Sequence, residues 1–408
     1  MTEALKPATA AQVAEAVAWA AAEEEPLELA GAGSKRGFGR PVQAGRLLDL
    51  GGLVGIALYE PDELVLSAAA GTPLAVIEAA LAERRQQLAF EPPDLGPLYG
   101  GRPGRGTIGG VLACNLAGPR RIKAGAARDH FLGFKAVSGR GEAFKSGGRV
   151  VKNVTGYDLC KLMAGSHGTL AALTEVTVKV LPAPETTRSV LLLGLDDAAA
   201  VRAMTRALGS AHEVSGAAHL PVGPAAGSIV ERVARAGAAV TAIRVEGTGP
   251  SVDYRCAALR GELADFGAPI DELQDGDSAV LWLELRDVAP LAADPQAVVW
   301  RLSVPPAAGA GVLAAIAALR PDARHYYDWG GGLLWLALAP AADAGAGPVR
   351  AAVAGRGHAT LMRAPDSLRL AVPVFEPQPE PLAALTRRVK DSFDPRRILN
   401  PGRLAAGL

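Results

Sequence analysis

The chain has 408 residues, 49% hydrophobic and 21% charged, with 42 basic side chains against 42 acidic ones. That length predicts two domains, the hydrophobic share excludes a disordered chain, and zero net charge removes any global pull toward nucleic acid or an anionic membrane surface. Three cysteines without a C-x-x-C pair, and six histidines with neither H-x-x-H nor H-x-x-x-H, argue against a metal site, an iron–sulfur cluster or a disulfide scaffold. The start shows no basic region followed by an apolar run, and no apolar run is long enough to span a bilayer, so a cytoplasmic location is expected.

Residues 8–24 place Val13, Val17 and Ala20 at helical spacing. A strand at 27–30 runs into Gly31-Ala32-Gly33-Ser34-Lys35-Arg36-Gly37, whose successive N–H groups can cup a phosphate. Taken alone, such a loop reads better as a surface turn. Strands are expected at 47–50 and 55–59, a turn and another strand across 60–68, and Thr72 is expected to cap a helix reaching about Arg85, with Pro73 in its first position.

Residues 104–182 form a glycine-punctuated stretch. Within it, 107–113 predicts a helix whose N-terminus is dressed with glycines, a favourable place for an anion. Residues 101–130 carry Arg102, Arg105, Arg120, Arg121, Lys123 and Arg128 against Asp129 alone. For Arg120, Arg121 and Lys123, an anionic ligand or partner and a solvated basic loop carry equal weight. A hairpin is expected at 134–145, a short helix at 156–163 and a long strand at 170–180, with Pro182 and Pro184 ending the domain.

Beyond residue 184, strands are expected at 189–195, 213–220 and 239–246, with helices at 196–208, 225–236 and 250–265. The segment 298–363 reads β-α-β-β-α-β, a ferredoxin-like order, and no exact internal repeat is visible. A proline-rich linker at 373–381 precedes a last helix at 382–392 and the tail.

The blocks Gly147-Gly148-Arg149-Val150-Val151-Lys152-Asn153-Val154-Thr155-Gly156-Tyr157-Asp158, Gly118-Pro119-Arg120-Arg121 and Phe393-Asp394-Pro395-Arg396-Arg397-Ile398-Leu399-Asn400-Pro401-Gly402-Arg403 carry a resemblance. Their order resembles the vanillyl-alcohol-oxidase, or PCMH-type, FAD-binding flavoproteins, and within them the FAD-binding subunits of bacterial glycolate oxidases. The resemblance covers residues 25–182 and the tail well and the middle weakly. It implies an α+β fold: a two-subdomain FAD-binding domain at 1–184, an α+β ferredoxin-like cap at 185–372, and a linker, helix and tail at 373–408 that return to the first domain.

It also implies roles by position. Gly31, Gly33, Ser34, Lys35, Arg36 and Gly37 would form the first pyrophosphate loop, and Thr107, Gly109, Gly110 and Asn115 the second. Arg128 and Asp129 would lie near the flavin, with Lys152 and Asn153 as further candidates. Gly168, Thr169 and Leu170 would run past its ring, and Asn400 would close over it. Many such flavoproteins attach FAD to a histidine of the first loop. Ser34 and Lys35 stand there instead, so non-covalent FAD is expected. The implied partners are a second flavin subunit and an iron–sulfur subunit, with any membrane association made through them.

Oxidising a 2-hydroxy acid needs a cation for the carboxylate and a base for the hydroxyl proton. The cap offers Arg301, Arg324 and Arg363, with His325, Tyr326, Tyr327 and His358. Arg324 and Tyr327 are the catalytic candidates, although their strand reads as well as an amphipathic edge. No G-x-S-x-G supports a serine hydrolase. The leading expectation is a subunit of a complex that oxidises glycolate or a similar 2-hydroxy acid. The alternatives are a non-catalytic partner whose FAD is structural or relays electrons, and a self-sufficient flavin dehydrogenase on another substrate.

Overall fold

The computed structural model describes residues 3–149 and 156–408, so the expectations for Lys152 and Asn153 lie outside the described residues. The fold is α+β. Its contacts divide the chain into two compact units. One gathers the chain up to Ala117, Gly125–Ala183 and Pro373–Leu408; the other gathers Gly118–Ala124 and Pro184–Val372.

In the first unit, β1 (Glu3–Leu5), β2 (Leu27–Ala30) and β3 (Arg46–Asp49) form a parallel sheet in the order β1-β3-β2. The helix Ala10–Glu23 begins where Thr9 accepts a hydrogen bond from the Gln12 N–H, and its Val13, Val17 and Ala20 are fully buried. They pack with Leu27, Leu48, Ile398 and Leu399. Each such valine or leucine contributes about 1.5–3 kcal/mol by leaving water.

The strands β4 (Ile56–Glu60), β5 (Val65–Ala69), β6 (Gln86–Gln87), β7 (Phe131–Ser138), β8 (Ala143–Gly147), β9 (Ala171–Lys179) and β10 (Leu181–Pro182) follow. Five of them make an antiparallel sheet ordered β4-β5-β9-β7-β8, and β6 pairs with β10. In β9 only Glu175 and Lys179 escape full burial, which explains its near-continuous apolar run. Thr72 does not cap the helix Leu74–Ala82. It is buried in the turn, where its hydroxyl donates to Ala69 O at 2.7 Å and accepts from Gly55 N at 3.0 Å.

The tail lies along β2. Leu27 N donates to Ile398 O at 2.7 Å, and Asn400 N donates to Leu27 O at 2.9 Å. A buried pair on the helix Glu380–Phe393 holds it there. Lys390 Nζ donates to Asp394 at 2.6 Å, to Thr169 O at 2.7 Å and to Leu399 O at 2.9 Å. Asp394, fully buried, also accepts from Ile398 N and Leu399 N at 3.1 and 2.8 Å.

The second unit carries β11 (Thr186–Leu193), β12 (Gly216–Leu220), β13 (Val240–Gly247), β14 (Ile270–Leu273), β15 (Val298–Ser303), β16 (Arg324–Asp328), β17 (Leu333–Leu338) and β18 (His358–Arg363). They form one antiparallel sheet ordered β14-β11-β13-β12-β16-β17-β15-β18. The β-α-β-β-α-β order expected at 298–363 is there, with helices Gly309–Leu319 and Ala346–Val353. It has a twin in β11–β14 with helices Asp197–Leu208 and Gly249–Leu263. The repeat is one of topology rather than of residue order, so no sequence repeat marks it.

The two halves meet at β12 and β16, where His219 pairs with Tyr327. The helix expected at 225–236 is split into Val222–Ala226 and Glu231–Ala234, because Glu284 accepts from Ser228 Oγ at 2.6 Å and Ile229 N at 2.7 Å in the break. Among the described residues no helix is long and apolar enough to cross a membrane.

Candidate functional site

In the first unit, β2 leads into the loop beginning at Gly31, and that loop forms one wall of a cavity. Gly31 stands against Thr107, so close that a Cβ there would lie 2.7 Å from Thr107 Oγ1. Thr107 starts the short helix Ile108–Ala113 and accepts from Gly110 N at 3.4 Å. A Cβ on Gly109 would lie 2.8 Å from Ala70 O, so only glycine lets this turn sit against the sheet.

The loop at 165–168 is fastened to the end of that helix, with His167 N donating to Ala113 O at 2.8 Å. Asn400 crosses the gap. Its Oδ1 accepts from Leu29 N at 2.8 Å, and its Nδ2 donates to His167 O at 2.7 Å. Its carboxamide therefore ties two walls together.

Ten expected positions line the cavity: Gly31, Gly33, Ser34, Lys35, Arg36, Thr107, Gly109, Gly110, Gly168 and Asn400. Others lie outside its wall. Gly37 packs on Tyr99, where a Cβ would come within 2.4 Å of the ring. Asn115 Oδ1 accepts from Arg128 N at 3.0 Å, and Asp129 caps its own turn by accepting from Ala126 N at 2.8 Å. The Arg128 and Asp129 side chains are half exposed to solvent. Thr169 is buried, its hydroxyl on Ser166 O at 2.7 Å, and Leu170 is buried with it.

The structure adds Phe38, Cys114, His167 and Arg403 to the wall. Arg403 donates to Arg36 O at 2.9 Å and to Glu28 at 3.2 Å, bracing the first loop. Arg403 ends the tail motif quoted above and His167 directly precedes Gly168, but no local signal marks either as a pocket residue.

Lys35 is the pocket's unsatisfied charge. Its ammonium donates to Ser34 Oγ at 3.2 Å and has no other hydrogen bond to a described residue. Burial lowers its pKa, with Cys114 and Asp94 opposing. The His167 ring lies 4.7 Å from Phe38 and 5.1 Å from Phe375, with Nδ1 3.7 Å from Cys114 Sγ. Burial first, and Arg403 second, push its pKa down to about 3.

In the second unit, Arg324 and Tyr327 are three residues apart on one strand and so point to opposite faces of the sheet. The structure does not bring them together. Arg324 is half exposed and pairs with Asp294 at 3.4 Å. Tyr327 donates to Asp197 at 2.8 Å, and that carboxylate also takes His325 at 3.0 Å. Burial, then Asp197, push the Tyr327 pKa far up. Arg363 is spent on backbone, donating to Ala297 O at 3.0 Å, Ala292 O at 3.3 Å and Asp294 O.

The basic run is claimed by this unit as well. Arg120 donates twice to Glu246, at 2.9 and 2.7 Å, and Lys123 pairs with Glu213 at 3.4 Å. Burial raises the Glu246 pKa, but Arg244 and Arg120 outweigh it and bring the carboxyl down to about 2.

Comparison with known proteins decides the family. A family described as "FAD binding domain" matches residues 3–147, and "FAD linked oxidases, C-terminal domain" matches residues 376–404. The glycolate oxidase subunit GlcE of Escherichia coli K12 is 34% identical over 394 residues, 97% of each chain. This chain belongs to the family of FAD-binding glycolate oxidase subunits.

The glycolate oxidase subunit GlcD of Bacillus subtilis is 36% identical over 163 residues, 39% of this chain and 33% of that one. p-Cresol methylhydroxylase with substrate bound shares the fold at 14% identity and TM-score 0.72, over 99% of this chain and 88% of that one. This subunit is an FAD-dependent oxidoreductase, and the cavity suits that cofactor. A buried ammonium short of partners awaits an anion, and the turns at Gly31 and Gly109 admit close backbone approach.

These ionisations set the acid side of stability. An imidazole held neutral down to about 3 loses to an unfolded histidine that protonates near 6.5. Stability is therefore full above about pH 6.5 and falls as pH drops toward 3. Glu246 adds a second loss between 4.5 and about 2, because its folded carboxyl titrates below its unfolded one. Denaturant midpoints measured across this range should show both slopes. His167→Gln should flatten the upper one and Glu246→Gln the lower.

Proposed function

We propose that this chain is the FAD-binding subunit of a complex that oxidises glycolate or a similar small 2-hydroxy acid. It would pass electrons to a second flavin subunit and an iron–sulfur subunit. The observation that carries this is the Lys35 cavity within a chain similar over its whole length to a glycolate oxidase subunit. Bound FAD supplies the two-electron acceptor chemistry.

In this reading Lys35 and the N–H groups of the loop after Gly31 hold the pyrophosphate, and Thr107, Gly109 and Gly110 form the floor. Gly168 passes close to the ring at a left-handed φ of 71°. Asn400 positions both walls rather than reaching the flavin through its bonded carbonyl. The first unit is the FAD domain, the second the cap, and the segment from residue 373 is the tail that completes the FAD domain.

One observation favours the second reading, a flavin-bearing partner that does not itself oxidise substrate. In the cap, Arg324 pairs with Asp294 and Tyr327 is bonded to Asp197 on the opposite face of the sheet, so the expected carboxylate cation and its phenol neighbour do not converge. Anaerobic spectroscopy separates the two readings. The purified chain should bind FAD and be bleached by glycolate. Flavin that binds but bleaches only when the other subunits are present supports the partner role, and a colourless chain that takes up no FAD rejects both.

A further inference from the structure

One arginine of the second unit stands apart from the pattern that ties down its neighbours. Arg301 sits in β15, opposite Trp335 on one side and Thr360 on the other, and Tyr326 lies beyond Trp335. Directly opposed residues of antiparallel strands share a face, so these four side chains form one row. The Arg301 guanidinium makes no hydrogen bond and no ion pair with any described residue. Its carbon lies 5.1 Å from the centre of the Trp329 ring.

Arg121 reaches the same ring, with its guanidinium carbon at 4.5 Å. Two like charges beside one indole raise each other's energy. Burial first and Arg121 second push the Arg301 pKa down to about 10, with Asp328 and Tyr326 opposing.

The ring that gathers them is held deliberately. Trp329 has a left-handed φ of 51°, a strained conformation for a bulky side chain. Its N–H donates to Asp328 Oδ1 at 2.7 Å, and its indole N–H donates to Gly118 O at 3.0 Å. Arg120, clamped on Glu246, fixes the backbone from which Arg121 extends. The remaining arginines nearby have tasks: Arg363 on backbone carbonyls, and Arg244 on Ser215 and over Trp282.

We propose that Arg301, assisted by Arg121 across Trp329, binds the carboxylate of a small 2-hydroxy acid. The proposal rests on the hydroxy-acid reading above and names the group that would recognise such a substrate. A planar fork of N–H donors matches a carboxylate with two parallel bonds, and a weakly hydrated guanidinium is the cation that tolerates this burial. An anion there would also relieve the repulsion between the two cations.

Calorimetric titration of the FAD-loaded chain with glycolate, and with oxalate as a non-oxidisable probe, tests this. Arg301→Gln should weaken both by about 10- to 100-fold, the effect of losing a charge-assisted pair. Arg301→Lys should recover part of it. FAD content should stay at the wild-type level in both variants, which separates a lost clamp from a lost fold. Binding that is unchanged in Arg301→Gln overturns the assignment, as does uncharged glycolamide binding as tightly as glycolate. Unchanged oxalate binding in a variant that no longer associates with the other subunits overturns it in favour of a protein contact. Because oxalate binding needs no redox step, a clamp that binds oxalate in a chain that glycolate fails to bleach leaves this inference standing and removes the oxidation reading instead.

Discussion

Replacing Lys390 with methionine is expected to cost about 3–5 kcal/mol, the range for removing one partner of a buried ion pair. Asp394 would remain fully buried with its charge uncompensated, and the carbonyls of Thr169 and Leu399 would lose their shared donor. These partners lie on the loop beside the cavity and on the tail along β2, so the loss should spread to the cavity. Thermal unfolding followed by circular dichroism, with flavin release followed by fluorescence, measures both effects. Adding Asp394→Asn to the methionine variant should recover part of the loss. The charge then disappears while the amide oxygen can still accept from one of Ile398 N and Leu399 N, which bond different oxygens of Asp394. A double variant no more stable than Lys390→Met alone would refute the buried-charge explanation.

Asn400→Ala should weaken FAD binding by about 10- to 100-fold with a smaller effect on global stability. The substitution removes two hydrogen bonds, each worth about 1 kcal/mol net and more where a partner is left unpaired. It frees Leu29 N and His167 O, the anchor points of the first loop and of the loop at 165–168. Asn400→Asp keeps the acceptor for Leu29 N but sets a carboxylate oxygen against His167 O, so it should not rescue binding. Titration of the apo chain with FAD, read by quenching of flavin fluorescence, gives the dissociation constants. An alanine variant that binds FAD as tightly as wild type would mean that Asn400 is only part of a turn.

Much of the first unit was legible because its signals are local. The helix face of Val13, Val17 and Ala20, the apolar run of β9 and the glycine loop after β2 each follow from neighbouring residues. The pocket was legible as separate loops, and ten of the expected residues meet at one cavity. Arg128 and Asp129 are expected near the flavin only through the resemblance. In the fold, a backbone N–H and a local cap take up Asn115 and Asp129. In the second unit, Arg324 and Tyr327 look like neighbours in the chain, yet the two-residue period of a strand separates them by the thickness of the sheet.

What the sequence determined, through the resemblance that its ordered blocks carry, is the kind of cofactor. Glycine turns, a phosphate-sized loop and the tail motif are short-range patterns, and a backbone that must approach a ligand closely has little choice of residue. The tertiary structure alone decided which charges are available. Arg120 is consumed by Glu246, 126 positions away, Arg363 by backbone carbonyls and Tyr327 by Asp197, while Lys35 and Arg301 are left short of partners. A charged side chain is spent or free according to what lies within about 3 Å of it, and for partners so far apart in the chain that distance exists only after folding.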